Sequence, residues 1–218
     1  MGKIIAIDGP AGSGKGTVAK ILANELNYMY IDTGAMYRCI ALLAIKNLLS
    51  EDDEEEIINL ARYAEIIFEG DKVILNGQDV TRDIRSMEVT KIVSPISSIV
   101  KLREILVEMQ RELAGSNNVI MEGRDITTVV FPNADYKFYL DANVSERANR
   151  RYKENIEKGI NTTYEEILDS IIKRDYNDTH KEVGSLTRTD DAIYIDSTKL
   201  TIKQVVKKIK NIVNGKKC

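Results

Sequence analysis

The chain has 218 residues, of which 43% are hydrophobic and 30% charged, and its formal net charge is −3. This is the composition of an ordinary globular protein, of a size suited to one α/β domain with an insertion. A slightly acidic chain is not expected to bind nucleic acid through general attraction to phosphate, and no apolar run is long enough to span a membrane.

Five short apolar runs, each followed by a helical pattern, predict buried strands. Such alternation is typical of an α/β fold with a parallel, doubly wound sheet. The predicted strands are Ile4–Asp8, Tyr28–Asp32, Val119–Glu122, Tyr136–Asp141 and Ala192–Asp196. The predicted helices are Lys15–Leu26, Gly34–Leu49, Val100–Ala114, Ser145–Lys158, Tyr164–Asn177 and Ile202–Val213.

Two segments interrupt this alternation and predict a division into three parts. Residues 52–100 contain Asn76-Gly77 between apolar residues, a strong hairpin signal, and begin within an acidic run expected to start an exposed helix. Residues 145–191 are helical and rich in charge. The remaining residues, 1–51, 101–144 and 192–218, are expected to form the core.

The residue types that often carry catalysis are scarce. The cysteines are Cys39 and Cys218, and the one histidine is His180. Two cysteines give neither a disulfide framework nor a metal-ligand spacing, and Cys39 is expected to be a small core residue. His180 has polar neighbours and is expected to be solvated. Because Lys3 precedes only a short apolar run, unlike a signal peptide, a cytoplasmic location is expected.

The first predicted strand leads into a glycine-rich turn with the spacing G-x-x-x-x-G-K. Its backbone N–H groups and the following helix N-terminus would cradle a phosphate, while Lys15 supplies charge to the outer phosphates of a nucleoside triphosphate. Gly16 stands where many such loops carry the hydroxyl that binds Mg²⁺, so Mg²⁺ is expected to be held mainly by phosphates and water, without a protein metal site. The predicted ATP-binding residues are Gly9, Pro10, Ala11, Gly12, Ser13, Gly14, Lys15, Gly16 and Thr17.

Charged residues follow the ends of the second and third predicted strands. Ligands of doubly wound sheets bind beyond the carboxyl ends of the strands. Thr33 and Arg38 would lie there after the second strand, and Arg124 and Asp125 after the third. These side chains are therefore candidates to hold a second phosphate-bearing molecule.

The helical segment adds an arginine cluster. Arg147, Arg150 and Arg151 share one side of a predicted helix, and Arg174 and Arg188 follow. Like charges cluster favourably where an anion neutralises them, so the segment predicts a lid that closes over phosphates. Phosphoryl transfer needs such positioning and charge neutralisation, without a covalent nucleophile.

These motifs together resemble bacterial cytidylate kinases, which are nucleoside monophosphate kinases. The resemblance rests on the stretches Gly9–Thr17, Asp32–Arg38, Glu122–Asp125 and Asp196–Thr198 and covers the whole chain. It implies a P-loop NTPase fold, with a five-stranded parallel sheet flanked by helices, a nucleoside-monophosphate-binding insertion at 52–100 and a lid at 145–191. The implied reaction moves the γ-phosphoryl group of ATP to CMP or dCMP.

The resemblance also implies residue roles. Asp125 is suited to cytosine, because a carboxylate accepts from its amino group and opposes the carbonyl of uracil. The implied CMP-binding residues are Thr33, Arg38, Ser94, Arg103, Arg124, Asp125, Arg174 and Asp178. The implied catalytic residues are Lys15, Arg124, Arg147, Arg151 and Arg174.

Two positions depart from the family's pattern. Thr127 stands where glycine is usual, and a β-branched residue does not readily adopt a left-handed conformation. Lys181 stands where arginine is common, which weakens any bidentate contact with phosphate.

Other functions remain open from the sequence. A P-loop kinase could act on another nucleotide or on a small acceptor such as shikimate, and a non-catalytic nucleotide-binding switch is a remote alternative. The guanine-binding pattern Asn-Lys-x-Asp of such switches does not occur in the sequence. A monomer is the default expectation.

Overall fold

The structure is a computed structural model that describes residues 2–157 and 159–215. The chain divides into two compact units: the first comprises the residues up to Met29 and from Asn117 on, and the second Tyr30–Ser116. Lys158, the predicted end of a helix, and Cys218 lie outside the described residues. The three-part division into core, insertion and lid stays a prediction.

The elements alternate along most of the chain as predicted. The strands are β1 (Ile4–Asp8), β2 (Met29–Asp32), β3 (Ile66–Glu69), β4 (Lys72–Leu75), β5 (Gln78–Asp79), β6 (Val119–Gly123), β7 (Tyr136–Asp141) and β8 (Ile193–Asp196). The helices are α1 (Lys15–Leu26), α2 (Thr33–Lys46), α3 (Glu54–Arg62), α4 (Met87–Ile96), α5 (Val100–Ala114), α6 (Val144–Glu157), α7 (Tyr164–Thr179) and α8 (Ile202–Val213).

The main sheet is parallel and has the strand order β2-β6-β1-β7-β8. Its central strand β1 is apolar throughout its middle, and Ile5, Ala6 and Ile7 are fully buried, as expected for a strand covered on both faces. Helices α1 and α8 pack together, and α8 buries Val205 and Ile209. The predicted five-stranded parallel α/β fold is thus confirmed, and the carboxyl ends of β1 and β6 are brought side by side.

The second unit carries a small antiparallel sheet of order β3-β4-β5. The turn between β4 and β5 is formed by Asn76 and Gly77, with φ of 50° and 76°. Positive φ at both central positions is the geometry of a tight hairpin that matches strand twist, so the hairpin signal is confirmed. Helix α3 begins at Glu54 inside the acidic run, also as predicted, whereas β3 and α4 were not predicted from the sequence.

Helices α6 and α7 form a hairpin within the first unit. Ala148, Ile167 and Ile171 are buried at its centre. Thr163 begins α7 with a reciprocal cap, because its hydroxyl accepts from the Glu166 N–H while the Glu166 carboxylate accepts from the Thr163 N–H. The pair of helices predicted as a lid is therefore a packed element with its own small apolar core.

The expectations for Cys39 and His180 are confirmed. The Cys39 thiol is buried in α2, and burial together with Asp32 raises its pKa to about 12. His180 is exposed after α7 and stacks on Tyr176, with ring centroids 4.0 Å apart.

Among the described residues, no helix combines the length and apolar character needed to cross a membrane.

Candidate active site

The P-loop connects β1 to α1 in the first unit, and neighbouring atoms approach its glycines too closely to leave room for side chains. A Cβ at Gly9 would lie 2.0 Å from the carbonyl oxygen of Leu140. Gly12 has a φ of +77°, and a Cβ there would lie 3.1 Å from the Cβ of Arg147. A side chain at either position would clash or strain the backbone, which explains why both positions of the loop are glycines.

Lys15 is a buried cation in the first turn of α1. Its Nζ donates to the carbonyl oxygen of Pro10 at 3.2 Å and lies 3.8 Å from Oε2 of Glu122. Burial and the nearby Arg124 lower the pKa of Lys15 to about 8, and Glu122 opposes part of this shift. An added anion at this place would raise the pKa of Lys15 again and so favour its charged form.

The hydroxyls of the P-loop are in different situations. The Ser13 hydroxyl is buried and makes no hydrogen bond to any residue the structure describes. Buried polar atoms are almost always paired, so this oxygen is poised for a ligand. Thr17 lies exposed one position beyond the usual place of a metal-binding hydroxyl.

Asp178 gathers three cations at the end of α7. Its Oδ2 accepts from Nε of Arg124 at 2.7 Å and lies 3.9 Å from Nε of Arg174, and its Oδ1 lies 3.6 Å from Nζ of Lys181. Burial alone would raise the pKa of Asp178, but the three cations hold it below the usual value. The structure thus brings together Arg124, Arg174 and Asp178, as the sequence predicts.

Asp125 begins a π-helical turn at the end of β6, spanning Ile126–Val130. Its carbonyl oxygen accepts the N–H groups of Val129 and Val130, at 2.8 and 3.2 Å. Turns with this wide spacing are rare and often lie at functional sites. The turn fixes the backbone on which Arg124 and Asp125 are carried.

Thr127 fits this turn without strain. Apart from glycines, the described residues with a left-handed φ are Asn27, Leu48 and Asn76, so the left-handed conformation considered for Thr127 is not needed. Its hydroxyl and its N–H donate to Oδ2 of Asp8, at 2.6 and 2.8 Å. The departure from glycine therefore adds a hydrogen bond to the turn.

Arg147 on α6 contacts the P-loop backbone. Its guanidinium donates to the carbonyl oxygens of Ala142 and Ala11, at 2.8 and 3.0 Å, and pairs with Asp175 at 2.6 Å. Only 5% of the residue is exposed. Its predicted contact with phosphate stays a prediction, and in this structure it joins α6 to the loop.

The neighbouring arginines differ in their surroundings. Arg150 pairs with Glu146 and donates to the carbonyl oxygens of Ser13 and Ser197, at 3.3 and 2.6 Å. Arg151 is half exposed and pairs with Glu154. Carboxylates thus neutralise the arginine cluster here, and Arg151 is the member with the most freedom to change partner.

In the second unit, Thr33 and Arg38 lie on the first turns of α2. Asp32 caps this helix by accepting from the Ala35 N–H at 3.0 Å. Thr33 is buried. The Arg38 guanidinium donates to the carbonyl oxygen of Ile84 and to the Thr90 hydroxyl, at 3.1 and 3.0 Å. Arg38 is thereby held both by the segment between β5 and α4 and by α4 itself.

Ser94 and Arg103 lie on α4 and α5 of the same unit. Ser94 is half-buried, and its carbonyl oxygen accepts from the Ser97 hydroxyl at 2.8 Å. Arg103 is buried, donates to the Ser97 carbonyl oxygen at 2.8 Å and lies over the ring of Tyr37 at 5.4 Å. Ser97 and Tyr37 were not among the predicted site residues. Their contacts with Arg103 form only in the folded chain, so no local sequence pattern indicates them.

Three contacts of the site were missed from the sequence: Glu122 with Lys15, Asp175 with Arg147, and Asp8 with Thr127. The signal for Asp8 and Glu122 was present, because each is a carboxylate ending an apolar strand. Asp175 offered no signal, since its partner lies on another helix. No group of three or more histidines, cysteines or acidic residues able to hold a metal occurs in the part of the chain that the structure describes.

Solved structures share the fold at low sequence identity. An uncharacterized protein from Eubacterium ventriosum aligns with a TM-score of 0.54 and 15% identity, covering 98% of this chain and 99% of that one. A shikimate kinase from Bacteroides thetaiotaomicron gives a TM-score of 0.50 and 15% identity, covering 97% and 98%. These likenesses show the fold alone; in this chain the fold carries a glycine-rich P-loop with a buried lysine, which defines the class of P-loop proteins.

Sequence comparison narrows the class to one family. A family model described as Cytidylate kinase matches residues 5–215. A cytidylate kinase from Leuconostoc mesenteroides is 53% identical over 215 residues, covering 97% of this chain and 96% of the relative. One from Clostridioides difficile is 44% identical over 211 residues, covering 97% and 98%. The chain belongs to the cytidylate kinase family.

Proposed function

We propose that the chain transfers the γ-phosphoryl group of ATP to CMP and dCMP, forming CDP or dCDP and ADP. A phosphate oxygen of the acceptor attacks the γ-phosphorus, and the bond from that phosphorus to the β,γ-bridging oxygen breaks. The observation that carries the proposal is that Lys15 is a buried cation near Arg124 and Arg174: burial, and then repulsion from these arginines, lowers its pKa. Such crowding is favourable once phosphates are bound.

ATP is proposed to bind along the P-loop, Gly9–Thr17. The backbone N–H groups and the start of α1 would hold its phosphates, the unpaired Ser13 hydroxyl would donate to one of them, and Lys15 would follow the γ-phosphoryl group. Ser197 contacts the carbonyl oxygen of Ser13 at 3.2 Å, which supports a place for the Asp196–Thr198 stretch beside the ATP base.

For CMP, we propose the following contacts. Arg38, Arg124 and Arg174 would contact its phosphate, and Asp178 its sugar. Thr33, Ser94, Arg103 and Asp125 would contact the cytidine. Asp125 supports the choice of cytosine, because it is buried beside Arg124 and can accept from an amino group but not pair with a carbonyl.

Arg147 and Arg151 are proposed to stabilise the charge that develops on the transferred group. Arg151 is suited to this role because its present pair with Glu154 is exposed and contributes little stability. Arg147 would act from a more fixed place beside the P-loop. A lid formed by α6 and α7 would exclude water, so that the phosphoryl group reaches the acceptor.

Mg²⁺ is proposed to be bound by the ATP phosphates and by water. Glu122 pairs with Lys15, and the Asp8 carboxylate accepts three hydrogen bonds, so these carboxylates are committed to the protein. Mg²⁺ would neutralise charge on the triphosphate. A monomeric protein and a cytoplasmic location also stay predictions.

The proposal is tested by measuring ADP release with CMP, dCMP, UMP, AMP, GMP and shikimate as acceptors. We expect CMP and dCMP to give the highest kcat/KM and shikimate to give none. Preference for another nucleotide or for shikimate would support the alternative of a P-loop kinase with a different acceptor. ATP hydrolysis that no acceptor accelerates would favour a nucleotide-binding switch.

A further inference from the structure

Asp8 is a buried carboxylate that the proposed reaction does not use. It ends β1, directly before Gly9 of the P-loop, and is fully buried. Its Oδ1 accepts the N–H of Ile126 at 2.9 Å, and its Oδ2 accepts the N–H and the hydroxyl of Thr127 at 2.8 and 2.6 Å. All three donors belong to one π-helical turn.

These hydrogen bonds connect the two loops that are proposed to hold the two substrates. The P-loop leaves β1 immediately after Asp8. The turn that begins after Asp125 carries Arg124 and Asp125 on its N-terminal side. A shift of the turn would therefore move the phosphate-binding guanidinium and the cytosine-binding carboxylate together, relative to the P-loop.

We propose that Asp8 and Thr127 are positioning residues that fix the Arg124-Asp125 loop against the P-loop. The inference rests on the proposed function and deepens it, because it assigns acceptor affinity and base choice to a hydroxyl that touches no substrate. The side chain of Thr127 matters because a residue without a hydroxyl at this position would offer only its N–H. In this chain the side chain supplies the shortest of the three hydrogen bonds, from a residue that is 1% exposed.

The Thr127 hydroxyl can be removed with little change in shape. Thr127→Val keeps the β-branched side chain but leaves Oδ2 of Asp8 one donor short in a site closed to water, whereas Thr127→Ser keeps the donor. We expect Thr127→Val to raise KM for CMP about tenfold, the effect of one lost hydrogen bond to a charged group, and to narrow the ratio of kcat/KM for CMP over UMP. The Kd of a non-hydrolysable ATP analogue should stay within about twofold, since the P-loop contacts remain.

A matched control separates positioning from stability. Val205 is buried in α8, within the same unit but in none of the contacts described above, so Val205→Ala lowers stability without touching either loop. The proposal holds if Thr127→Val changes the acceptor KM and the CMP:UMP ratio, Thr127→Ser restores both, and Val205→Ala at a similar loss of Tm changes neither. It is overturned if Thr127→Val leaves both values unchanged or Val205→Ala reproduces its effect.

A double-mutant cycle with Asp8→Asn tests whether the two residues act as a pair. An amide presents a donor to the N–H groups of the turn, so we expect a large rise in acceptor KM, with little further change when Thr127→Val is added. Additive effects would overturn the pairing, and an insoluble Asp8→Asn protein leaves the Thr127 series decisive. A wild-type enzyme with a different preferred acceptor would contradict the proposed function, and the same KM comparison with that acceptor would still test the positioning.

Discussion

Lys15 shows how burial and neighbouring charges set the ionisation of a single residue in the site. Its pKa is about 8, compared with an ordinary value of 10.5, because burial and neighbouring arginines oppose its charged form. The unfolded chain therefore binds more protons than the folded chain between these pH values, and this lysine makes stability rise with pH across that window. Below about pH 8, Lys15 is charged in both the folded and the unfolded chain, and the full cost of burying its charge lowers the free energy of unfolding.

We expect ATP binding to reverse this shift and to take up a proton. At about pH 9, Lys15 is mostly neutral in the protein without ATP, and the phosphates of ATP are fully ionised. If Lys15 is charged in the complex, binding must therefore take up a proton from solution. ATP affinity should accordingly fall as pH rises above about 8. Isothermal titration calorimetry at about pH 9, in two buffers of different ionisation enthalpy, measures the number of protons taken up on binding. Equal uptake by Lys15→Met would contradict the assignment.

Asp125 is expected to decide which pyrimidine is accepted. Asp125→Ala removes the acceptor for the cytosine amino group and the repulsion of the uracil carbonyl, so the ratio of kcat/KM for CMP over UMP should fall roughly ten- to a hundredfold. The turn should persist, since it is the Asp125 backbone that accepts its hydrogen bonds. As a control, Asp135→Ala removes an exposed carboxylate that caps the opposite end of β1, through the Ile4 N–H, and should leave the ratio unchanged. An unchanged ratio in Asp125→Ala would exclude base recognition by this residue.

At the scale of elements, α6 presents two arginines with different tasks on one short stretch. Arg147 binds the backbone of the P-loop and Asp175 of α7, while Arg151 points to an exposed pair within its own helix. One side chain therefore holds elements together, and the other is free to exchange partners. Both side chains should therefore affect turnover, whereas the stability of the fold should depend on Arg147 far more than on Arg151.

We expect Arg147→Ala to lower the free energy of unfolding by about 3–5 kcal/mol, because it leaves Asp175 and two carbonyl oxygens without their partner. Arg151→Ala should change it by less than about 0.5 kcal/mol yet reduce turnover. Urea unfolding monitored by circular dichroism gives the first quantity, and ADP release the second. Similar losses of stability in both variants would show that Arg147 does not brace the loop.

The main elements could be predicted because each carries a strong local signal. The β1 strand is an uninterrupted apolar run, and α8 repeats buried residues at helical spacing. Helix α4 was missed although Ser86 caps it and Val89, Val93 and Ile96 share a face, since Pro95 in its last turn resembles a helix break. The π-helical turn could not be predicted, because its hydrogen bonds to Asp8 join residues more than a hundred positions apart.

The same limit applies to the site. Lys15 could be selected as a candidate from the P-loop spacing, and Arg124 and Asp125 because they follow the end of a strand, where a parallel sheet collects ligands. The partners of Arg147 and Arg150 are carbonyl oxygens of the P-loop, which no side-chain pattern reveals. A cluster of arginines in a sequence therefore predicts neighbouring negative charge, but not whether a ligand or the protein supplies it.

For the whole molecule, the P-loop belongs to the first compact unit, whereas the predicted CMP-binding residues Thr33, Arg38, Ser94 and Arg103 belong to the second. Each ligand should stabilise the fold through its own affinity, because a ligand that binds only the folded chain shifts the unfolding equilibrium. Thermal unfolding of the intact protein thus reports the two binding sites individually.

We expect Lys15→Met to abolish most of the stabilisation by an ATP analogue while preserving that by CMP. At about 100 times Kd, either ligand should stabilise the wild-type protein by about 2.7 kcal/mol, which is read as a rise in Tm. The variant itself should unfold no earlier than wild type without ligand, because a buried cation is lost, and its turnover should fall roughly 10²- to 10³-fold. Loss of both ligand responses would indicate a damaged fold.

The ion pair between Arg124 and Asp178 gives the resting protein an internal competitor for the acceptor phosphate. A phosphate bound by Arg124, as proposed, would have to share the guanidinium with a carboxylate that lies 2.7 Å from its Nε. We expect this competition to weaken the binding of CMP and of CDP alike, and to help the product leave after transfer. Affinity would thus be exchanged for a shorter residence time, which would favour repeated turnover over storage of a bound nucleotide.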